Sequence, residues 1–254
     1  MDTNNEYGTL EIHQVLLVIL KRIDKLCSDN GIKYSLLAGS MLGAVRHKGF
    51  IPWDDDADIV VDRSQYDKLS SLIAADPLLS LKKDLWIDRV QLDSLSANGS
   101  SPTVDLFVLD NVPDNRLLGK TKMLLILMLQ RMIINKPDYK RYSLVNKAIS
   151  WTLNTIGKLF SKNWLLKLYA KVSQISNSKP STHKAIYCDQ YRYIRNEYGA
   201  DMFTSTCRIT FEDTQLNIID SYDEYLTLMY GDWRNPPELA DRTPHHKVSR
   251  HVLG

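Results

Sequence analysis

A chain of 254 residues, 44% apolar and 24% charged, has the length and composition of a globular protein with a sizeable core, which excludes a fibrous or disordered one. Three cysteines, Cys27, Cys188 and Cys207, show no paired spacing, so neither a disulfide framework nor a zinc site is expected, and a reducing compartment suits them. The net charge of +2 conceals an asymmetry: residues 117–184 carry 13 Lys and Arg against one acid, Asp138, which leaves −10 for the remainder. No apolar run reaches the roughly 18 residues of a membrane span. The polar, acidic start MDTNNEYGTLEIHQ does not read as a signal peptide.

In chain order, Ile12, Val15, Leu16, Ile19, Ile23 and Leu26 recur at helical spacing, with Gly31 as a stop. A strand is expected at KYSLLA, then a Gly39-Ser40 turn, then a short helix through MLGAVRH. The acidic stretch DDDAD leads into the strand ADIVVD, and SQYDKLSSLIAA reads as a helix opened by Ser64 and Asp67 at capping-box spacing. Strands follow at LWIDRVQL and TVDLFVLD, separated by the polar loop DSLSANGSSP. The basic stretch 117–176 reads as two or three helices, and CRITFED with QLNIID as a hairpin. Ser221 and Glu224 open a last helix, SYDEYLTLMY, before Pro236-Pro237 ends regular structure. The pattern is that of a mixed α/β domain, residues 1–113 with 185–254, interrupted by a basic helical insert at 114–184.

The acidic stretch is electrostatically costly. Asp54, Asp55, Asp56 and Asp58 fall within five positions, and carboxylates two apart on a strand share a face. Two of them about 5 Å apart repel by roughly 3 kcal/mol at an effective dielectric near 20. A divalent cation is the simplest remedy, since Mg²⁺ takes one or two carboxylates together with substrate phosphates and water. Asp56 and Asp58, separated by small Ala57, suit that role, and Asp105, flanked by apolar Val104 and Leu106, is a third acid that can face them from a neighbouring strand. Asp54 shares their face only if the strand begins early. The turn at Gly39 and Ser40, between strand and helix, suits a phosphate at the helix N-terminus. Arg46 and His47 lie within reach of the same phosphates. Trp53 reads as a packing wedge, and Tyr230-Gly231-Asp232 either closes the pocket or caps a helix.

A Gly-Ser, then Asp-x-Asp, then a third carboxylate on a later strand resembles the nucleotidyltransferase superfamily. More narrowly, GSMLGAVRHKGFIPWDDDADIVVDRSQYDKL, VDLFVLD and YDEYLTLMYGDWRNPP resemble the LicD family, which is similar to the fukutin-related enzymes. The resemblance is dense over residues 36–69 and patchier over 102–113 and 210–237. It departs at LNIIDSYDEYL, where the family has a Pro-rich approach. It implies a nucleotidyltransferase-like mixed sheet flanked by helices, with Gly39 and Ser40 at the phosphate. It implies Asp56, Asp58 and Asp105 as catalytic metal ligands for Mg²⁺ or Mn²⁺, with Arg46 and His47 on the donor. The implied reaction moves a phosphocholine-like group from a CDP-linked alcohol to a hydroxyl of a cell-surface glycan or its lipid-linked precursor, releasing CMP.

Two other readings remain open at this point: transfer of a nucleoside monophosphate from a triphosphate, and a non-catalytic, membrane-associated glycan-binding protein. The insert has no nucleic-acid-binding signature, so no nucleic acid is expected. Its segments KTKMLLILMLQRMIINK and NKAISWTLNTIGKLFSKNWLLKLYAKV combine apolar stripes, aromatics and lysines. They suit either the cytoplasmic face of a membrane or a bundle packed on the core.

Overall fold

A computed structural model describes residues 7–96, 101–134, 143–189, 193–238 and 242. The fold is α/β. It divides into two compact units, residues 1–108 with 201–254, and residues 109–200.

The first unit begins with α1 (Leu10–Asp29), which buries Ile12, Val15, Leu16, Ile19, Leu20 and Ile23. Leu26, expected on that stripe, is half-buried, and Cys27 takes the inner position. The helix ends at Asn30, and Gly31, at φ +65°, turns the chain. Strand β1 (Tyr34–Leu36) leads into α2 (Ala38–His47), β2 (Ala57–Asp62), α3 (Arg63–Ala75), β3 (Leu79–Asp84), β4 (Ile87–Leu92) and β5 (Val104–Asn111). The sheet order is β1-β2-β5-β4-β3. β1 pairs antiparallel with β2 and β4 with both β3 and β5. Ile59, Val60 and Val61 of β2 and Val104 and Leu106 of β5 are buried, so the two central strands form the core.

Two local expectations are corrected, and one strand appears that no pattern announced. Helix α2 starts at Ala38, so Gly39 and Ser40 lie in its first turn and not in a turn ahead of it. Helix α3 is capped by Asp62, whose carboxylate accepts from the Ser64 N–H at 3.0 Å, so the Ser64 box does not form. Strand β3, LSLKKD, has a half-exposed, charged pattern that gives no clean alternation, and only its pairing with β4 makes it a strand.

The second unit holds the end of β5, then α4 (Arg116–Ile133), α5 (Leu144–Gly157), α6 (Lys162–Ser173), β6 (His183–Ile186) and the short β7 (Tyr198–Gly199). β6 pairs antiparallel with Leu109–Asn111 of β5 and with β7. All three helices have polar N-caps, Asn115, Ser143 and Ser161, each accepting from first-turn N–H groups. No helix among the described residues is long and apolar enough to cross a membrane. The chain returns to the first unit in the hairpin β8 (Thr206–Phe211) and β9 (Thr214–Ile219), as expected, and in α7 (Tyr222–Tyr230). Ser221 caps α7 without a side-chain hydrogen bond.

Candidate active site

The strand-to-helix passage from β1 to α2 is sharp. Ala38 takes φ +44°, an unfavourable value for a residue with a Cβ, at the point where the chain borders a cleft of about 430 Å³. Leu37, the N-cap of α2, offers no side-chain cap, and Ala38 and Gly39 of the first turn line the cleft. A helix N-terminus opening on a cavity is a ready site for an anion. Asp54, Asp56 and Asp58 line the same cleft, with Arg46, Trp53, Tyr230, Asp232 and Trp233 completing most of the wall.

The acids are held by an irregular segment between α2 and β2 that three elements pin. From α1, the Thr9 hydroxyl donates to the Pro52 carbonyl at 2.6 Å, and His13 Nε2 lies 2.7 Å from the Asp54 carbonyl oxygen. Burial lowers the pKa of His13, which fits a neutral ring donating to that carbonyl, and the ring stacks on Phe50 at 4.5 Å. From the β8–β9 turn, a Glu212 carboxylate oxygen accepts from the Phe50 N–H at 3.0 Å, and the Glu212 N–H donates to the Lys48 carbonyl at 2.7 Å. On α2, Gly43 lets the segment close in: a Cβ there would stand 2.5 Å from the Gly49 carbonyl oxygen.

Asp54 packs tightly into this arrangement. A Cβ on Gly39 would stand 2.7 Å from Asp54 Oδ2, so glycine is what lets the carboxyl reach the start of α2. Burial, the charge of Asp56 and a side-chain hydrogen bond with Asp56 push the Asp54 carboxyl far above the usual carboxylate range. A carboxyl so placed favours its protonated form more than an exposed one does.

The expected site residues separate into two groups. Gly39, Arg46, Asp56 and Asp58 line one cleft, joined by Asp54, although β2 begins only at Ala57. Ser40, His47 and Asp105 do not line it. Ser40 is buried, and its hydroxyl accepts from the Asp58 N–H at 2.8 Å, so it positions the carboxylate-bearing residue. His47 accepts from Arg46 Nε at 3.0 Å and meets the Trp53 ring edge-on at 6.0 Å. Asp105 lies across from Arg89 in the β4–β5 register and receives its Nε–H at 3.1 Å.

Three lining residues, Tyr230, Asp232 and Trp233, stand at positions whose role the residues alone leave open, and Trp53 has a second role beside the expected one. Trp53 is buried as a wedge should be, yet its ring also borders the cleft. Asp232 receives the Asn235 side-chain amide at 2.7 Å, and Trp233 holds Arg46 through its carbonyl at 3.0 Å. Gly231, at φ +68° and ψ −119°, makes the turn that puts Tyr230 and Asp232 on the wall, a conformation that favours glycine. Pocket and helix end are one feature. Arg242 adds a guanidinium 5.1 Å from the Trp53 ring centre, and its charge, after burial, helps lower the pKa of Arg46. A lone arginine in a polar tail carries no signal in one sequence.

Hard oxygen donors are what Mg²⁺ or Mn²⁺ prefers, and the cleft offers the carboxylates of Asp54, Asp56 and Asp58. Among the described residues no three acidic, histidine or cysteine side chains are grouped so as to enclose a metal ion by themselves. These carboxylates could hold a cation only together with ligands from elsewhere, such as water or a substrate's phosphates.

Residues 31–124 match the family model described as LicD/FKTN/FKRP, nucleotidyltransferase domain. The lipopolysaccharide cholinephosphotransferase LicD of Haemophilus influenzae is 27% identical over 263 residues, covering 94% of this chain and 96% of that protein. Residues 31–124 thus carry the signature of a LicD-type domain. Uncharacterized proteins of Rickettsia prowazekii and Rickettsia typhi are each 50% identical over short segments of 44 and 55 residues, 16% of their own lengths. The similarity to the Haemophilus protein extends over almost the whole length of both chains.

Proposed function

We propose that this protein, a transferase of phosphate-containing groups, moves phosphocholine from a CDP-linked donor to a hydroxyl of lipopolysaccharide or its precursor, releasing CMP. The observation that carries this reading is the grouping of Asp54, Asp56, Asp58 and Asp232 with Arg46 around one cleft, beside an uncapped helix N-terminus, among the described residues. The Haemophilus relative, named a lipopolysaccharide cholinephosphotransferase, supports the choice of group and acceptor.

In this reading Asp56 and Asp58, with Asp54, hold Mg²⁺ or Mn²⁺, which when bound would neutralise the donor's diphosphate and stabilise the charge of an in-line displacement. The acceptor oxygen forms a bond to the phosphorus bearing choline. The bond from that phosphorus to the bridging oxygen breaks, and the oxygen leaves with CMP. The hydroxyl proton passes to a carboxylate of the cleft. Arg46 and the first turn of α2 bind the phosphates. Three aromatic residues, Trp53, Tyr230 and Trp233, together with Asp232, suit a trimethylammonium group, which binds through aromatic faces and negative charge.

The deciding experiment is CMP release by the purified protein from CDP-choline, CDP-ethanolamine, CDP-glycerol and CDP-ribitol, with Mg²⁺ or Mn²⁺ and with chelator. Metal-dependent release from CDP-choline, lost in Asp58→Asn, is expected. Absence of both release and metal-dependent binding of every CDP-alcohol sinks the proposal, and pyrophosphate release from a nucleoside triphosphate would replace it with nucleotidyl transfer. Asp54→Asn and Asp105→Asn decide the third carboxylate. Loss of metal-dependent release in the first alone gives the place to Asp54, and loss in the second alone gives it to Asp105.

A further inference from the structure

Helix α5 is built inside out. Its buried positions are Ser150, Asn154 and Gly157, at i, i+4 and i+7, while Leu144, Val145, Ile149, Trp151 and Ile156 are exposed, Trp151 to 64%. The small, polar face is a specific contact with α4. The Asn154 amide donates to the Ile134 carbonyl, and a Cβ on Gly157 would lie 2.3 Å from the Met132 carbonyl oxygen. Helix α4 repeats the inversion in part. Leu117, Leu124, Leu125 and Met128, on one stripe at i, i+7, i+8 and i+11, are exposed, whereas Lys122 and Gln130 are buried. Both buried groups are satisfied: Lys122 Nζ donates to the Asn111 and Ile175 carbonyls at 2.7 Å each, and Gln130 donates to the Asp189 carbonyl at 3.0 Å.

A helix facing water has the opposite pattern. Small and amide-bearing residues between helices, with leucine and aromatics outward, is the pattern of helices whose outer solvent is lipid. No helix among the described residues is long and apolar enough to cross a bilayer, so these faces would lie on one. Charge points to the same partner. Helices α4, α5 and α6 carry no Asp or Glu, and Lys120, Lys158, Lys162, Lys167 and Lys171 are exposed on them and on the turn after α5. A second copy of the same face would bring lysines against lysines. An anionic bilayer accepts both halves, with lysines at the headgroups and Trp151, Phe160 and Trp164 at the acyl boundary.

We infer that the unit formed by residues 109–200 seats this protein on anionic membrane surfaces through the outward apolar faces of α4 and α5 and the lysines beside them. The test uses the full-length protein, without donor or metal, so that its failure is distinguishable from failure of the transferase reading. Cosedimentation is measured with vesicles of phosphatidylcholine alone and of phosphatidylcholine with about one-third phosphatidylglycerol. Binding to the anionic vesicles is expected, weakened by salt and accompanied by quenching of Trp151 emission by brominated acyl chains.

The pair Leu124→Ser and Trp151→Ser should abolish binding with the melting temperature unchanged, because both side chains are already exposed. Lys158→Glu with Lys162→Glu should weaken binding by at least about fivefold per lysine. Three results overturn the inference: equal binding to both vesicle types, binding indifferent to these variants, or no vesicle binding. A concentration-dependent dimer abolished by Trp151→Ser, without vesicle binding, would make the face a self-interface.

Discussion

At the scale of single residues, the Asp54 carboxyl is the sharpest reporter of the site. Its pKa is raised from an ordinary 3.8 to about 8 by burial and by Asp56, so between those values the folded chain holds a proton that the unfolded chain releases. The contribution to stability is therefore full below the ordinary value and lost as pH rises through the folded one. Metal-free protein should melt at progressively lower temperature from about pH 5 to about pH 8, and Asp54→Asn should remove most of that slope. Saturating Mg²⁺ should flatten the slope in the parent protein by taking the proton's place. An unchanged slope in Asp54→Asn would show that another group controls it. Ser40 makes a second prediction. Ser40→Ala leaves the part-buried Asp58 N–H without its hydroxyl partner and should cost about 1 kcal/mol in chemical denaturation, together with weaker metal binding.

Among the elements, the segment between α2 and β2 matters most, because it carries carboxylates without secondary structure of its own. Its position is set by α1 through Thr9 and His13, by the β8–β9 turn through Glu212, and by the close approach that Gly43 allows. Gly43→Ala sets a Cβ against backbone, which cannot move aside as a side-chain end can, and should destabilise by about 1–3 kcal/mol. Metal-dependent turnover should fall further than stability alone explains, since the displaced segment carries Asp54. Glu212→Ala tests the same idea from another element. It removes the acceptor for the Phe50 N–H and should lower kcat while leaving the secondary structure intact by circular dichroism.

At the scale of the whole molecule, the cleft lies within residues 38–58 and 230–237, in the first unit, and the inverted helices lie in the second. The two functions should therefore separate. The variant carrying Leu124→Ser and Trp151→Ser should release CMP from soluble CDP-choline at the parent rate, yet lose transfer to an acceptor embedded in anionic vesicles. Parallel loss of both rates in a folded variant would mean that the helices serve the cleft directly.

Much of this protein was legible in its residues. The order of most strands and helices, the β8–β9 hairpin and the convergence of Gly39, Arg46, Asp56 and Asp58 follow from apolar periodicity and from a cluster of like charges with no local remedy. The 13-to-1 excess of basic residues and the apolar stripes of residues 117–184 are likewise plain in the chain. Other features required the fold. The Asp54 carboxyl packs against the start of α2, where Gly39 leaves room for it, and α1 and the hairpin pin its backbone. Those are contacts across tens to hundreds of residues that no local pattern encodes. Ser40 lies in the first helical turn and holds Asp58, and Asp105 lies opposite Arg89, because helix start and strand register are settled by packing. Periodicity shows that a helix has an apolar stripe; only tertiary structure decides whether that stripe is covered, and on α5 it faces outward.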